Sequence, residues 1–149
     1  MRKIAISALI LILTACSSKA PSAFTKVDKV PTVFPDYTNI TVPCNIAPMN
    51  FLIDQEADRY LTVLESESGK VSIKGKKVCI PRSKWQALTR SPQITVSVYT
   101  RNKGQWSAYS PFSINVSDEI DPFISYRIIM PSVECYERLS LNERVLTSF

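Results

Sequence analysis

Two carboxylate pairs are spaced closely enough to share a substrate: Asp118 with Asp121, and Glu134 with Glu137. Such pairs can divide the acid and base roles of glycosidic chemistry. Asp118, Glu119 and Asp121 could together offer oxygens to Ca²⁺, which takes about 6–8 of them. No EF-hand spacing surrounds them, so the reading kept is a solvated acidic loop. The chain has no histidine. That removes imidazole acid/base work, histidine-based triads and histidine-containing zinc sites. Its three glycines, Gly69, Gly75 and Gly104, stand alone in turn-like contexts, so no phosphate-cradling loop is spelled out. Nothing gathers either carboxylate pair into a cleft. The expectation is a chain that is not an enzyme and carries no cofactor and no metal.

Aromatic residues offer binding instead of catalysis. Trp85, Trp106, Tyr109 and Tyr99 could stack on a sugar or a peptide, but such residues also fill cores and hairpin ends. Ser83 followed by Gln86 fits a capping box, and Trp85 shares a helical face with Leu88. This predicts one helical turn over Ser83–Thr89, with Trp85 closing the end of a core. The net charge is +5 and falls to +3 once Arg2 and Lys3 leave with a leader. Lys74–Lys77 reads as a hairpin tip. No aromatics interleave with it, so no nucleic acid partner is implied.

The amino terminus gives an address. Met1-Arg2-Lys3 is basic, and Ile4–Leu13 is apolar but far short of the roughly 20 residues a membrane-spanning helix needs. This is the pattern of a secretory signal peptide over residues 1–15. Leu13-Thr14-Ala15-Cys16 resembles the lipobox of bacterial lipoproteins, in which the cysteine is acylated and becomes the first residue. The resemblance implies Cys16 as a lipid anchor carrying several acyl chains, palmitate among them; two or more hold a protein stably at a membrane. Ser17 in place of aspartate implies the outer membrane. The lack of an acidic run over Ser17–Ser22 favours its periplasmic face over surface display. Residues 16–29 read as a flexible tether. Cys44, Cys79 and Cys135 remain. An exported compartment permits one disulfide among them, and the default for each is a small buried hydrophobe.

The elements that must position these groups are strands. Ile94, Val96 and Val98 alternate up to a polar turn at Arg101–Gly104. A second run follows through Trp106, Tyr109, Phe112, Ile114 and Val116. Val30–Tyr37, with prolines at 31 and 35 and apolar Val33 and Phe34, suits an extended edge segment. Thr38–Val42 and Asn50–Asp54 are short strands, the latter with Phe51 and Ile53 on one face and Leu52 on the other. Tyr60–Ile80 reads as successive hairpins. Phe123–Met130 is apolar and β-leaning, and Tyr136–Phe149 fits two short strands or one helix.

Gly104-Gln105-Trp106-Ser107-Ala108-Tyr109-Ser110-Pro111 resembles the closing hairpin of fibronectin type III modules, and Ile94–Thr100 their penultimate strand. The resemblance covers about half the chain. It implies an all-β, fibronectin type III/immunoglobulin-like antiparallel β-sandwich with one short helix, over residues 30–117, with a binding or spacing role. Under it Trp106 is structural, lying along the sheet.

A second resemblance spans FPDYTNITVPCNIAPMNFLI, SPFSINVSDEIDPFISYRIIMPS and NERVLTSF. These are similar to the region that precedes the β-propeller in TolB-like propeller lipoproteins of bacteria. It implies that residues 118–149 are a C-terminal extension or connector, and that a propeller protein is a possible envelope partner. The expected function is a non-catalytic, lipid-anchored sandwich that binds or positions an envelope protein partner. A carbohydrate-binding module and a secretion-apparatus lipoprotein are the alternatives.

Overall fold

A computed structural model describes residues 20–128 and 140–148. The strongest alternation in the sequence becomes the central strand. In β8 (Gln93–Asn102), Ile94, Val96, Val98 and Thr100 are buried, while the residues between them face outward. β5 (Arg59–Ser66) pairs with one side of β8, and β6 (Gly69–Lys74) pairs with β5. The other side of β8 is shared by β9 (Gln105–Tyr109) and β10 (Phe112–Ser117). Two short strands from the amino-terminal part complete this seven-stranded sheet: β1 (Thr25–Val27) on β9 and β3 (Thr41–Pro43) on β10.

A second sheet has three strands, in the order β2 (Val33–Phe34), β4 (Phe51–Ile53) and β7 (Lys77–Val78). Its Val33, Phe51, Ile53 and Val78 bury against Leu64, Ile94, Val96, Val98, Phe112 and Ile114 of the large sheet. The Phe51 and Phe112 rings meet edge to face across the gap, with centroids 6.4 Å apart. An aromatic pair of this kind adds about 0.5–1.5 kcal/mol beyond its buried area. The chain crosses between the two sheets at every step from β1 to β5, and again at β6–β7 and β7–β8. The protein is thus an all-β sandwich with one short helix, as the sequence predicts.

Several details differ from the expectation. The pairings are not all antiparallel, because β1 and β3 run parallel to β9 and β10. β1 also lies inside the segment read as a tether. Three residues are too few to show a period, and their register comes from the open edge of β9. Thr41–Pro43 starts later than the strand expected at Thr38–Val42, because Asn39 turns the chain with φ 56°. Its side-chain oxygen accepts the Ser113 N–H at 3.2 Å. Just before this turn, the Thr38 hydroxyl and then its N–H donate to Asp36, holding that exposed carboxyl below its usual pKa.

β5 and β6 are a hairpin, but β6 and β7 are not. Gly75, at φ 106°, turns the chain off the edge of one sheet and into the other, so Lys74–Lys77 is a crossover and not a hairpin tip. The helix α1 (Arg82–Leu88) starts one residue early. Pro81 is its N-cap, and the Pro81 carbonyl accepts the N–H groups of Lys84 and Trp85, both at 2.9 Å. Ser83 sits inside the first turn, where its hydroxyl cannot cap. The capping box therefore does not form.

Lys103 and Gly104 form the two-residue turn of the β8–β9 hairpin, with φ 48° and 86°. Two positive φ values are the signature of a type I′ turn, which favours asparagine before glycine. Lysine is strained there. Lys103→Asn is expected to stabilise the fold by about 0.5–1 kcal/mol, read as a rise in the urea midpoint. An unchanged or lower midpoint would contradict this.

Among the described residues of 118–128 and 140–148, none joins either sheet of the sandwich, and β11 (Phe123–Ile128) and β12 (Ser140–Val145) pair with each other. Their base is fixed to the β3–β4 connection. Ala47 N–H donates to the Leu146 carbonyl at 2.7 Å, and the Asn45 side chain exchanges hydrogen bonds with the backbone of Ile120.

Candidate functional site

Strand alternation and cross-strand register together define the outer face of the large sheet. Directly opposed residues share a face. Arg59 on β5, Arg101 on β8 and Trp106 on β9 form one outward row; Lys74, Leu61, Tyr99, Ala108 and Lys26 form the next. The Arg101 guanidinium carbon lies 5.9 Å from the Trp106 ring centroid, and Arg101 Nε donates to the Gly104 carbonyl at 3.1 Å. A guanidinium over an indole face is attracted by the ring quadrupole. Residues at the amino-terminal end come onto this face as well. Pro21 lines a depression of about 500 Å³ with Arg59, Leu61, Lys74, Trp106 and one carboxylate, Asp58. The Phe24 ring meets that of Tyr99 edge to face, with centroids 5.8 Å apart.

The charges of this face are predominantly positive. Arg59, Lys74 and Lys26 are exposed and Arg101 is half-buried. Of the nearby carboxylates, Glu65 is paired with Lys70 at 2.8 Å, and Asp58 accepts the Lys103 backbone N–H at 2.9 Å. Asp28 stands beyond Lys26, at the rim. Lys76, off this face at the crossover, has its pKa raised by the hydrogen bond and charge of Glu56, 3.1 Å away.

The structure separates the aromatic candidates. Trp85 is fully buried, and its indole N–H donates to the Ile46 carbonyl at 3.0 Å, so it is a core residue. Trp106 faces outward and is half-buried. Tyr109 lies on the opposite face of β9 and packs against the rim of the core. The reason is a β-bulge. β9 and β10 follow registers on β8 that differ by one residue, so Ser110 and Pro111 together oppose Ser97. Tyr109 and Phe112 can then both face inward although they are three apart. A single platform of Trp85, Trp106 and Tyr109 is not formed.

A wider cleft, about 860 Å³, lies at the other end of the described residues. Arg82 and Arg90 line it from the helix side, and Asp118 and Glu119 from the β10–β11 connection. Asp121 does not line it; its carboxylate accepts the Phe123 N–H at 3.0 Å and shapes the start of β11. The pair Asp118/Asp121 is therefore not brought together on one substrate. Glu134 and Glu137 fall outside the described residues, as do Cys16 and Cys135. Among the described residues, no three histidine, cysteine, aspartate or glutamate side chains are grouped to hold a metal ion.

Cys44 is half-buried beside the large cleft, and Cys79 is exposed; both are free thiols. Cys79 is not the buried hydrophobe expected, because its neighbours Val78 and Ile80 take the inward positions. Among the described residues no helix is long and apolar enough to cross a membrane.

Sequence reasoning missed Arg59, Lys74 and Arg101 as members of one surface. Arg101 alternates visibly with Val98 and Thr100. The pairing that lines it up with Arg59 and Trp106 is a tertiary fact with no local signal. No family model, curated protein or solved structure matches the chain.

Proposed function

We propose that the protein is a non-catalytic lipoprotein, anchored by acyl chains on Cys16 to the periplasmic face of the outer membrane, whose sandwich binds or positions an envelope protein partner. The observation that carries this reading is Leu13-Thr14-Ala15-Cys16, standing directly after an apolar run too short to span a bilayer and nine residues before the first strand. A partner surface is supported by the β11–β12 ribbon. Phe123, Ile124, Tyr126 and Ile128 are each at least 42% exposed there, and Leu141 is 85% exposed. Exposed apolar side chains on a strand paired on one side among the described residues invite pairing with another protein. The similarity to regions that precede a β-propeller makes a propeller protein the partner of choice.

Cys16→Ser tests the anchor. The wild type is expected in the outer-membrane fraction with palmitate incorporated; the variant is expected to lose the label and at least nine-tenths of its acyl-dependent membrane association. Wild-type protein in the soluble fraction would refute the reading. Cross-linked envelopes that yield no protein partner through the ribbon would refute its second half.

A further inference from the structure

The outer face of the large sheet combines three observations. It gathers Arg59, Lys74, Lys26 and Arg101 in two adjacent rows, in which no carboxylate stands. It sets the half-buried Trp106 among them. It also receives the amino-terminal segment: Pro21 lines one depression with Trp106, Lys74 and, at its margin, Asp58, and the Phe24 ring meets that of Tyr99. The chain between Cys16 and Pro21 can span at most roughly 17 Å. An anchor at Cys16 would therefore hold this face, and no other large surface of the sandwich, next to the bilayer.

We infer that this face docks on the anionic headgroups of the membrane that carries the anchor, so the sandwich lies against the bilayer with the large sheet down. The inference rests on the lipid anchor proposed above. Cations within a Debye length of about 8 Å of an anionic surface keep a substantial part of its attraction at physiological salt. Each strengthens attachment about fivefold. An indole flanked by such cations suits the headgroup level, where tryptophan is enriched. Leu61, in the second row, is buried between Lys74 and Tyr99, so the contact is a charged and aromatic one without an apolar wedge. The ribbon, fixed to the β3–β4 connection, is not part of this face.

Tryptophan fluorescence reads this orientation directly. The chain has two tryptophans, and Trp85 is fully buried, so a neutral aqueous quencher reports on Trp106. The lipidated full chain is reconstituted into vesicles of phosphatidylcholine alone, or of phosphatidylcholine with phosphatidylglycerol, and quenched with acrylamide. The expected result is a quenching constant at least twofold lower with phosphatidylglycerol, restored by 0.5 M salt (roughly a 3–5 Å Debye length). Arg59→Glu/Lys74→Glu should abolish the difference, and Lys26→Glu should shrink it. All three side chains are exposed, and an unchanged thermal midpoint verifies that each variant is folded.

Equal quenching in both vesicle types, with the chain still floating with them, overturns the docking and leaves the anchor standing. Shielding seen in whole envelopes but not in phosphatidylglycerol vesicles also overturns it, assigning the face to another envelope component. A wild-type chain that floats with neither vesicle overturns the anchor, and the docking with it.

Discussion

Replacing Trp85 with alanine is expected to destabilise the protein by about 3–5 kcal/mol. Its indole is fully buried where the helix closes one end of the sandwich, in the same cluster as Leu88, Ile80 and Ile94. Two losses combine. The cavity forfeits the packing of the largest side chain in the core, and the Ile46 carbonyl loses its donor at 3.0 Å. Domains of this size are stable by about 5–15 kcal/mol, so the variant should have a substantial unfolded population. Trp85→Phe keeps most of the apolar contact but leaves the carbonyl unpaired, and should cost about 1–3 kcal/mol. Urea unfolding of both variants separates packing from hydrogen bonding. A cost under about 1 kcal/mol for alanine would mean that the site collapses without loss, and the indole would no longer count as structural.

The second large effect has the opposite sign. Thr62 is fully buried at the centre of β5, between Val98 of β8 and Ile73 of β6. Among the described residues its hydroxyl meets no hydrogen-bond partner. A buried hydroxyl without a partner is unfavourable by about 1–3 kcal/mol. Valine has nearly the same shape and the same β-branched stiffness, so the strand loses nothing by the exchange. Thr62→Val should therefore stabilise the protein by about 1–2 kcal/mol, seen as a higher urea midpoint with an unchanged slope. Destabilisation would show that a water or a neighbouring carbonyl satisfies the hydroxyl.

Much of the sandwich can be read from the sequence because its central strand alternates cleanly. Ile94, Val96 and Val98 announce a buried face, and Phe51 and Ile53 against Leu52 announce another. Local patterns also give the helix around Trp85 and the turn at Lys103-Gly104. Elements without local signal are not legible. The three residues of β1 acquire their strand conformation from the edge of β9. The bulge at Ser110-Pro111 depends on counting residues against a strand that only the fold brings alongside. The departure of the chain at Gly75 reflects which sheet needs a third strand. The candidate surface follows the same rule. Trp106 is conspicuous by type, yet it becomes meaningful only beside Arg101 and Arg59. Tyr109, equally conspicuous, is turned inward by the bulge.

The parallel edge strands have a mechanical consequence. A pull on the amino-terminal end acts along β1, whose hydrogen bonds to β9 lie across the direction of the load. Such bonds break together in shear and do not unzip singly, but β1 offers only three residues of pairing. β3 on β10 also pairs over three residues. Each strand is backed by one further bond, Ser110 N–H to the Lys29 carbonyl for β1 and Asn115 N–H to the Ile40 carbonyl for β3, so β1 should give way first because it meets the load first. Its release would free the segment up to β2, whose full contour length is roughly 25–30 Å. The amino-terminal edge thus works as a short, resettable slack line that absorbs displacement before any core residue moves.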